Sequence, residues 1–173
     1  MGTQLIIKNK TVVEDEWVVL RLSEGEAPES VKVPSGKIIV PLNVWKTQRD
    51  SLLPRNDIGV WFASNERTED LQNDVARLPV IAVDFPKFGD GRGYSIAYRL
   101  RARLGYRGEL RAIGDVLRDQ LFYMQRAGFD AFATRADKNI HEAVKSLSDF
   151  SLTYQASVDE SQPLFRRVQR GVA

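Results

Sequence analysis

The sequence predicts an α/β fold: an open, largely parallel sheet of about five βα units with an N-terminal β-hairpin cap. Three observations carry this. From Lys37 onward, short β-branched apolar runs alternate with stretches whose apolar residues recur at helical spacing. Gly105 and Gly128 each close a helical stretch and are each followed by an aromatic residue, Tyr106 and Phe129, as expected of a left-handed helix stop. Strands joined through helices pair in parallel. Five units are too few to close an eight-stranded barrel within one chain, so an open doubly wound sheet is the economical arrangement, with half-barrel pairing between two chains as the alternative.

Residues 1–22 form the cap: Leu5-Ile6-Ile7 and Thr11-Val12-Val13 read as a hairpin and Trp17 to Leu20 as a third strand. Residues 23–36 hold three Glu, two Pro and two Gly without apolar period and read as a surface linker. The α/β domain, residues 37–150, opens with a strand at Lys37–Val40 and a helix at Leu42–Leu53. A strand at Ile58–Phe62 and a helix at Thr68–Leu78 follow, then a strand at Val80–Asp84 and a helix at Tyr94–Leu104. Glu109–Ile113 leads into a helix at Val116–Ala127, with Asp115 placed to cap it, and Phe129–Ala133 into a helix at Asn139–Phe150. Leu71, Val75 and Leu78, and again Ile140, Val144 and Leu147, mark faces laid on a sheet. The C-terminal tail, residues 151–173, loses periodicity and carries Gln162-Pro163-Leu164-Phe165-Arg166-Arg167.

Composition narrows the chemistry. The 173 residues include no cysteine, so disulfides, thiolate catalysis and the ligands of iron–sulfur clusters or haem-type centres are absent from the chain. His141 is the only histidine, so no metal site is expected, and any metal would need carboxylate ligands. No apolar run approaches a membrane span and the start lacks the layout of a secretory signal, so a cytoplasmic location without membrane association is expected. Lys87 to Arg118 carries eight Lys/Arg against three Asp/Glu, a local excess that favours an anionic partner. Arg99, Arg101 and Arg103 lie off the apolar stripe of their helix and read as a solvated face.

Neither core packing nor ordinary turn chemistry accounts for Phe85 to Ser95. This loop leaves the predicted parallel strand at its carboxyl end and feeds a helix start, where backbone N–H groups face outward. Gly91 and Gly93 permit close approach, Tyr94 and Ser95 offer N–H groups, and Lys87 and Arg92 supply charge, which together suit a small oxyanion. The dinucleotide fingerprint fails at Ile96 and in its distance from the strand, and a P-loop lacks its Gly-Lys-Ser/Thr. A structural alternative is a tight loop braced by Asp90 and Arg92. Nucleic acid is not expected, since it would want a longer basic track with exposed aromatics.

Arg111 sits within a strand that reads as buried and needs a partner: Asp84, Asp115 or a bound anion. With Arg118 it is expected to join Lys87, Arg92, Tyr94 and Ser95 on one concave face. Asp84, Asp90 and Asp115 are the acids placed for general acid–base work, although catalysis is permitted rather than indicated.

The blocks Asp84-Phe85-Pro86-Lys87-Phe88-x-Asp90-Gly91-Arg92-Gly93-Tyr94-Ser95, Arg103-Leu104-Gly105-Tyr106-x-Gly108-Glu109-Leu110-Arg111-Ala112-x-Gly114-Asp115-Val116-Leu117-Arg118-Asp119-Gln120 and Gly128-Phe129-Asp130-Ala131-Phe132 resemble a bacterial domain-of-unknown-function family. That family is usually encoded beside assimilatory sulfite reductase and labelled a probable oxidoreductase involved in sulfite reduction. The resemblance spans about Lys37 to Arg167; a cysteine often precedes the Gly-Phe-Asp block in the family, where this chain has Ala127. It implies a role in sulfite reduction or sulfate assimilation. Without cysteines the chain cannot itself be the reductase. Three functions remain open: an accessory protein binding a small oxyanion or phosphorylated intermediate, a small oxidoreductase using a diffusible nicotinamide or flavin, and an interaction module docking on sulfite reductase.

Overall fold

A computed structural model describes residues 4–86, 91–134 and 139–148. Its centre is one sheet of eight strands: β1 (Leu5–Lys8), β2 (Thr11–Glu14), β3 (Val18–Val19), β4 (Ile38–Pro41), β5 (Ile58–Phe62), β6 (Val80–Phe85), β7 (Glu109–Gly114) and β8 (Ala131–Phe132). They stand in the order β2-β1-β8-β7-β6-β5-β4-β3. Neighbours from β3 to β8 run parallel, whereas β1 is antiparallel to both β2 and β8. The turn between β1 and β2 places Asn9 and Lys10 at φ 51° and 65°, which suits the twist of a two-residue connection.

The first 22 residues therefore do not form a cap beside the sheet. They belong to it, and residues 23–36 are not a boundary, because β3 and β4 on either side of them pair directly. That segment is tied down: Val31 is buried, and the Gln48 amide donates to the carbonyls of Pro28 at 2.7 Å and Val31 at 2.8 Å.

The strand order forces a curl. β2 and β3 lie at opposite edges, yet only Asp15, Glu16 and Trp17 separate them in the chain. Four Cα–Cα steps span at most about 15 Å, whereas eight flat strands would put the edges about 34 Å apart. The sheet consequently bends until its two edges are consecutive pieces of one extended segment. Asp15 N–H still donates to Gln4 in the β1 direction, and Val18 N–H already donates to Lys37 beside β4.

Curling gives the faces different coverings. The outer face, with Val40, Val60, Val83, Leu110 and Phe132, shares one core with α1 (Leu42–Leu52), α2 (Arg92–Tyr98), α3 (Leu121–Ala127) and α4 (Ile140–Lys145). The inner face clusters Ile39, Val80, Ala82 and Ile113 with Trp17, Val19, Trp61 and Ala133, all from strands or the segments joining them. Helices thus cover one face only, which corrects the doubly wound arrangement.

Several helices are shorter than their apolar period predicts. Thr68–Leu78 is two 3-10 stretches, Thr68–Asp70 and Gln72–Arg77, although Leu71, Val75 and Leu78 are all buried. α2 passes into a π-helical turn at Arg99–Arg103, a rare geometry frequent at functional sites. Val116 does not open a helix: a 3-10 turn covers Arg118–Gln120 and α3 starts at Leu121, so Asp115 is not its N-cap. Gly105 and Gly128 do close their helices with positive φ, 67° and 123°.

Candidate functional site

The carboxyl ends of β4 to β8 open on one rim of the curl, and the Phe85–Ser95 loop rises from it after β6. Lys87 and Asp90 lie outside the described residues, as does the tail 151–173. The remaining loop residues divide by role. Gly93 is buried, and a Cβ there would come within 2.7 Å of the Phe85 ring, so this glycine answers to helix-on-strand packing. Gly91 faces open space. The Tyr94 ring meets Phe85 edge-on at 5.5 Å, and burial pushes its phenol pKa upward.

Arg92, Ser95 and Arg99 recur at i, i+3 and i+7 and line one polar cleft of about 180 Å³ with Ser64, Glu66 and Thr68 from the connection after β5. Burial raises the Glu66 carboxyl pKa, against the opposing effect of the Ala63 N–H that donates to it at 2.6 Å. Arg99 also lies 3.6 Å from Glu69.

Arg111 is elsewhere. It is buried at 1% exposure inside the curl, donating through Nε and Nη2 to Glu109 and through Nη1 to Asp15, each at 2.8 Å. Lys8 reaches the other Glu109 oxygen at 3.1 Å. The expected partners Asp84 and Asp115 are not those it pairs with. Asp84 instead accepts from Arg21 at 2.9 Å, and Asp115 N–H donates to Phe85 O at 2.7 Å. The reason is parity and curl: Glu109 and Arg111 share the inner face of β7, and the closing segment brings Asp15 over them from 96 residues away. Two carboxylates occupy the guanidinium, so Arg111 does not converge with the loop on an anion.

Arg118 is also apart. It lines a second cleft with Leu117, Asp119 and Asn139, at the start of α4, where the Asn139 side chain accepts from the N–H groups of His141 and Glu142. A larger hollow of about 440 Å³ opens beside Asn9 and Phe129. Its Arg101 is committed to the carbonyls of Tyr106, Gly108 and Gly128 and to Asp130, leaving no spare fork for a ligand. Among the described residues no group of three His, Cys, Asp or Glu is arranged to hold a metal ion, and no helix is long and apolar enough to cross a membrane.

A family model described as a bacterial protein of unknown function, DUF934, matches residues 59–165. The chain belongs to that family. The DUF934 match begins within β5 and takes in both rim clefts and Arg111, whereas Asp15 and Arg21 precede it. No curated protein and no solved structure matches the chain.

Sequence reasoning missed Glu66, Ser64 and Thr68, which lie on a connection whose composition looks like any polar loop. It also missed Arg21, which reads as one cation in an acidic N-terminal region. The available signal was inner-face parity, since Val19 and Arg21 alternate with Leu20 beyond the end of β3.

Proposed function

We propose that this DUF934 protein binds a small oxyanion or a phosphorylated intermediate at the carboxyl rim of its sheet, as an accessory of sulfite reduction. The observation that carries the reading is the cleft after β5 and β6, where Arg92, Ser95 and Arg99 face Ser64, Thr68 and Glu66, whose carboxyl is made to hold its proton more readily by burial. Two guanidinium groups supply charge and directed N–H groups, and three hydroxyls can turn to suit the remaining oxygens. A cleft of about 180 Å³ suits a compact tetrahedral or pyramidal anion and its waters rather than a polymer. The connection to sulfur metabolism rests on the resemblance of the Asp84–Ser95, Arg103–Gln120 and Gly128–Phe132 blocks.

Thermal-shift titration with sulfite, sulfate and phosphate tests this. A ligand at a hundred times its dissociation constant stabilises by about 2.7 kcal/mol. Arg92→Ala is expected to abolish that shift while leaving the unliganded melting temperature nearly unchanged. Loss of stability with unchanged affinity would make Arg92 a structural brace.

A further inference from the structure

Arg21 follows β3 and reaches over β4 and β5 to Asp84 near the end of β6, crossing the inner side of the rim. Its guanidinium lies 5.0 Å above the Trp61 ring of β5, and Trp61 is itself anchored by its indole N–H, which donates to Leu20 O at 2.9 Å. Nη2 is on Asp84 at 2.9 Å, and Nε and Nη1 have no hydrogen-bond partner among the described residues. Nη2 carries one hydrogen on each fork of the guanidinium, so the single Asp84 bond takes one fork and leaves the other. The Asp84 side chain is 13% exposed and that of Arg21 50%. Gly114 keeps the place open, since a Cβ there would stand 2.5 Å from both Asp84 Oδ1 and Phe85 O.

This is a guanidinium whose orientation is set on two sides and whose edge is left to solvent. The ring and the carboxylate together fix the direction of this guanidinium before any ligand arrives. We propose that Arg21, held between Trp61 and Asp84, is an anion-gripping residue inside the carboxyl rim, and that it takes the carboxylate of a small molecule. The planar fork matches a carboxylate's two oxygens. Charge narrows the choice: Arg21 and Asp84 already sum to zero, so each negative charge on a ligand adds repulsion from Asp84, and a singly charged carboxylate is penalised least. The site shares no residue with the Arg92 cleft, and the two can be tested apart.

The test is a tryptophan-emission titration with formate and, at constant ionic strength, with sulfate. Formate is expected to change the emission saturably, through Trp61, with sulfate about tenfold weaker. The signal should vanish in Trp61→Phe. Arg21→Lys keeps a cation for Asp84 but lacks the fork; it is expected to weaken formate at least about tenfold with little change in melting temperature. Arg92→Ala should titrate with formate as the wild type does. The proposal is overturned if formate gives no saturable change, if Arg21→Lys binds it as the wild type does, or if sulfate binds as tightly. Loss of formate binding in Arg92→Ala would also overturn it, merging the two sites. If formate binds through Arg21 while no oxyanion shifts the melting temperature through Arg92, this inference stands and the outer-cleft reading falls.

Discussion

Arg111 and Arg21 both leave the sheet on its inner face and both pair with carboxylates, yet one is 1% exposed and the other 50%. Arg111 sits mid-strand, where the curl brings Asp15 and Glu109 against it and occupies three of its nitrogens. Arg21 sits beyond a strand end, with one carboxylate and one ring. Position along the curl decides what an arginine does here. In the interior a guanidinium is consumed in neutralising buried acids; at the carboxyl rim its edge stays available to a ligand.

Removing the interior member should have the largest effect. Arg111→Ala leaves Asp15 and Glu109 buried without their main counter-charge and is expected to cost about 3–5 kcal/mol, read from urea unfolding. A loss below about 1 kcal/mol would mean that water enters the curl and that the interior resembles the rim after all.

Within the loop the same contrast separates two glycines. Gly93→Ala drives a methyl into the Phe85 ring and should cost about 1–3 kcal/mol. Gly91→Ala, in open space at φ −83°, should change stability by no more than about 0.5 kcal/mol. Equal effects would show that the loop is not divided into a packed half and an exposed half.

Two acids respond to pH with opposite signs. Arg49, donating twice to Asp74 at 2.7 Å, holds its carboxyl below the usual carboxylate range, with Trp45 adding a hydrogen bond. Its stabilisation is therefore present above the unfolded pKa of about 3.9 and lost as pH falls through the depressed value. Asp130 has the opposite sign, because burial raises its pKa. Its contribution is greatest when protonated and declines as pH rises from the unfolded value through the raised one. Asp74→Asn should flatten the acid limb of the stability curve, and Asp130→Asn the decline above it.

A modest effect is expected at the rim, well below that of Arg111→Ala. Arg21→Gln should change stability by no more than about 1 kcal/mol, since Arg21 is half exposed and the glutamine amide can still donate to the largely buried Asp84. A loss approaching that of Arg111→Ala would make Arg21 a structural counter-ion like Arg111.

Much of this was legible in residue order. The short apolar-rich runs at Ile58–Phe62, Val80–Asp84 and Glu109–Ile113 mark strands because most of their side chains suit a sheet covered by helices. Gly105 and Gly128 mark helix ends because a left-handed backbone penalises a Cβ, and the burial of Tyr106 and Phe129 follows from the hydrophobic contact after such a stop. Arg111 declared its burial through its strand. These are local properties, set by a residue and a few neighbours.

Tertiary structure alone decided the rest. That Asp15 answers Arg111 depends on a chain reversal closing the sheet across 96 residues, and no spacing encodes it. The single-sided covering of the sheet has the same origin: once Asp15–Trp17 joins the two edges, the inner face fills with its own strands and has no room for helices. Gly93 looked like a ligand approach and proved to be a packing requirement, because the Phe85 ring that claims its space is placed only when α2 lies back on β6. Apolar period and backbone preference act within a few residues, whereas the pairing of buried charges is settled by which surfaces the folded chain brings together.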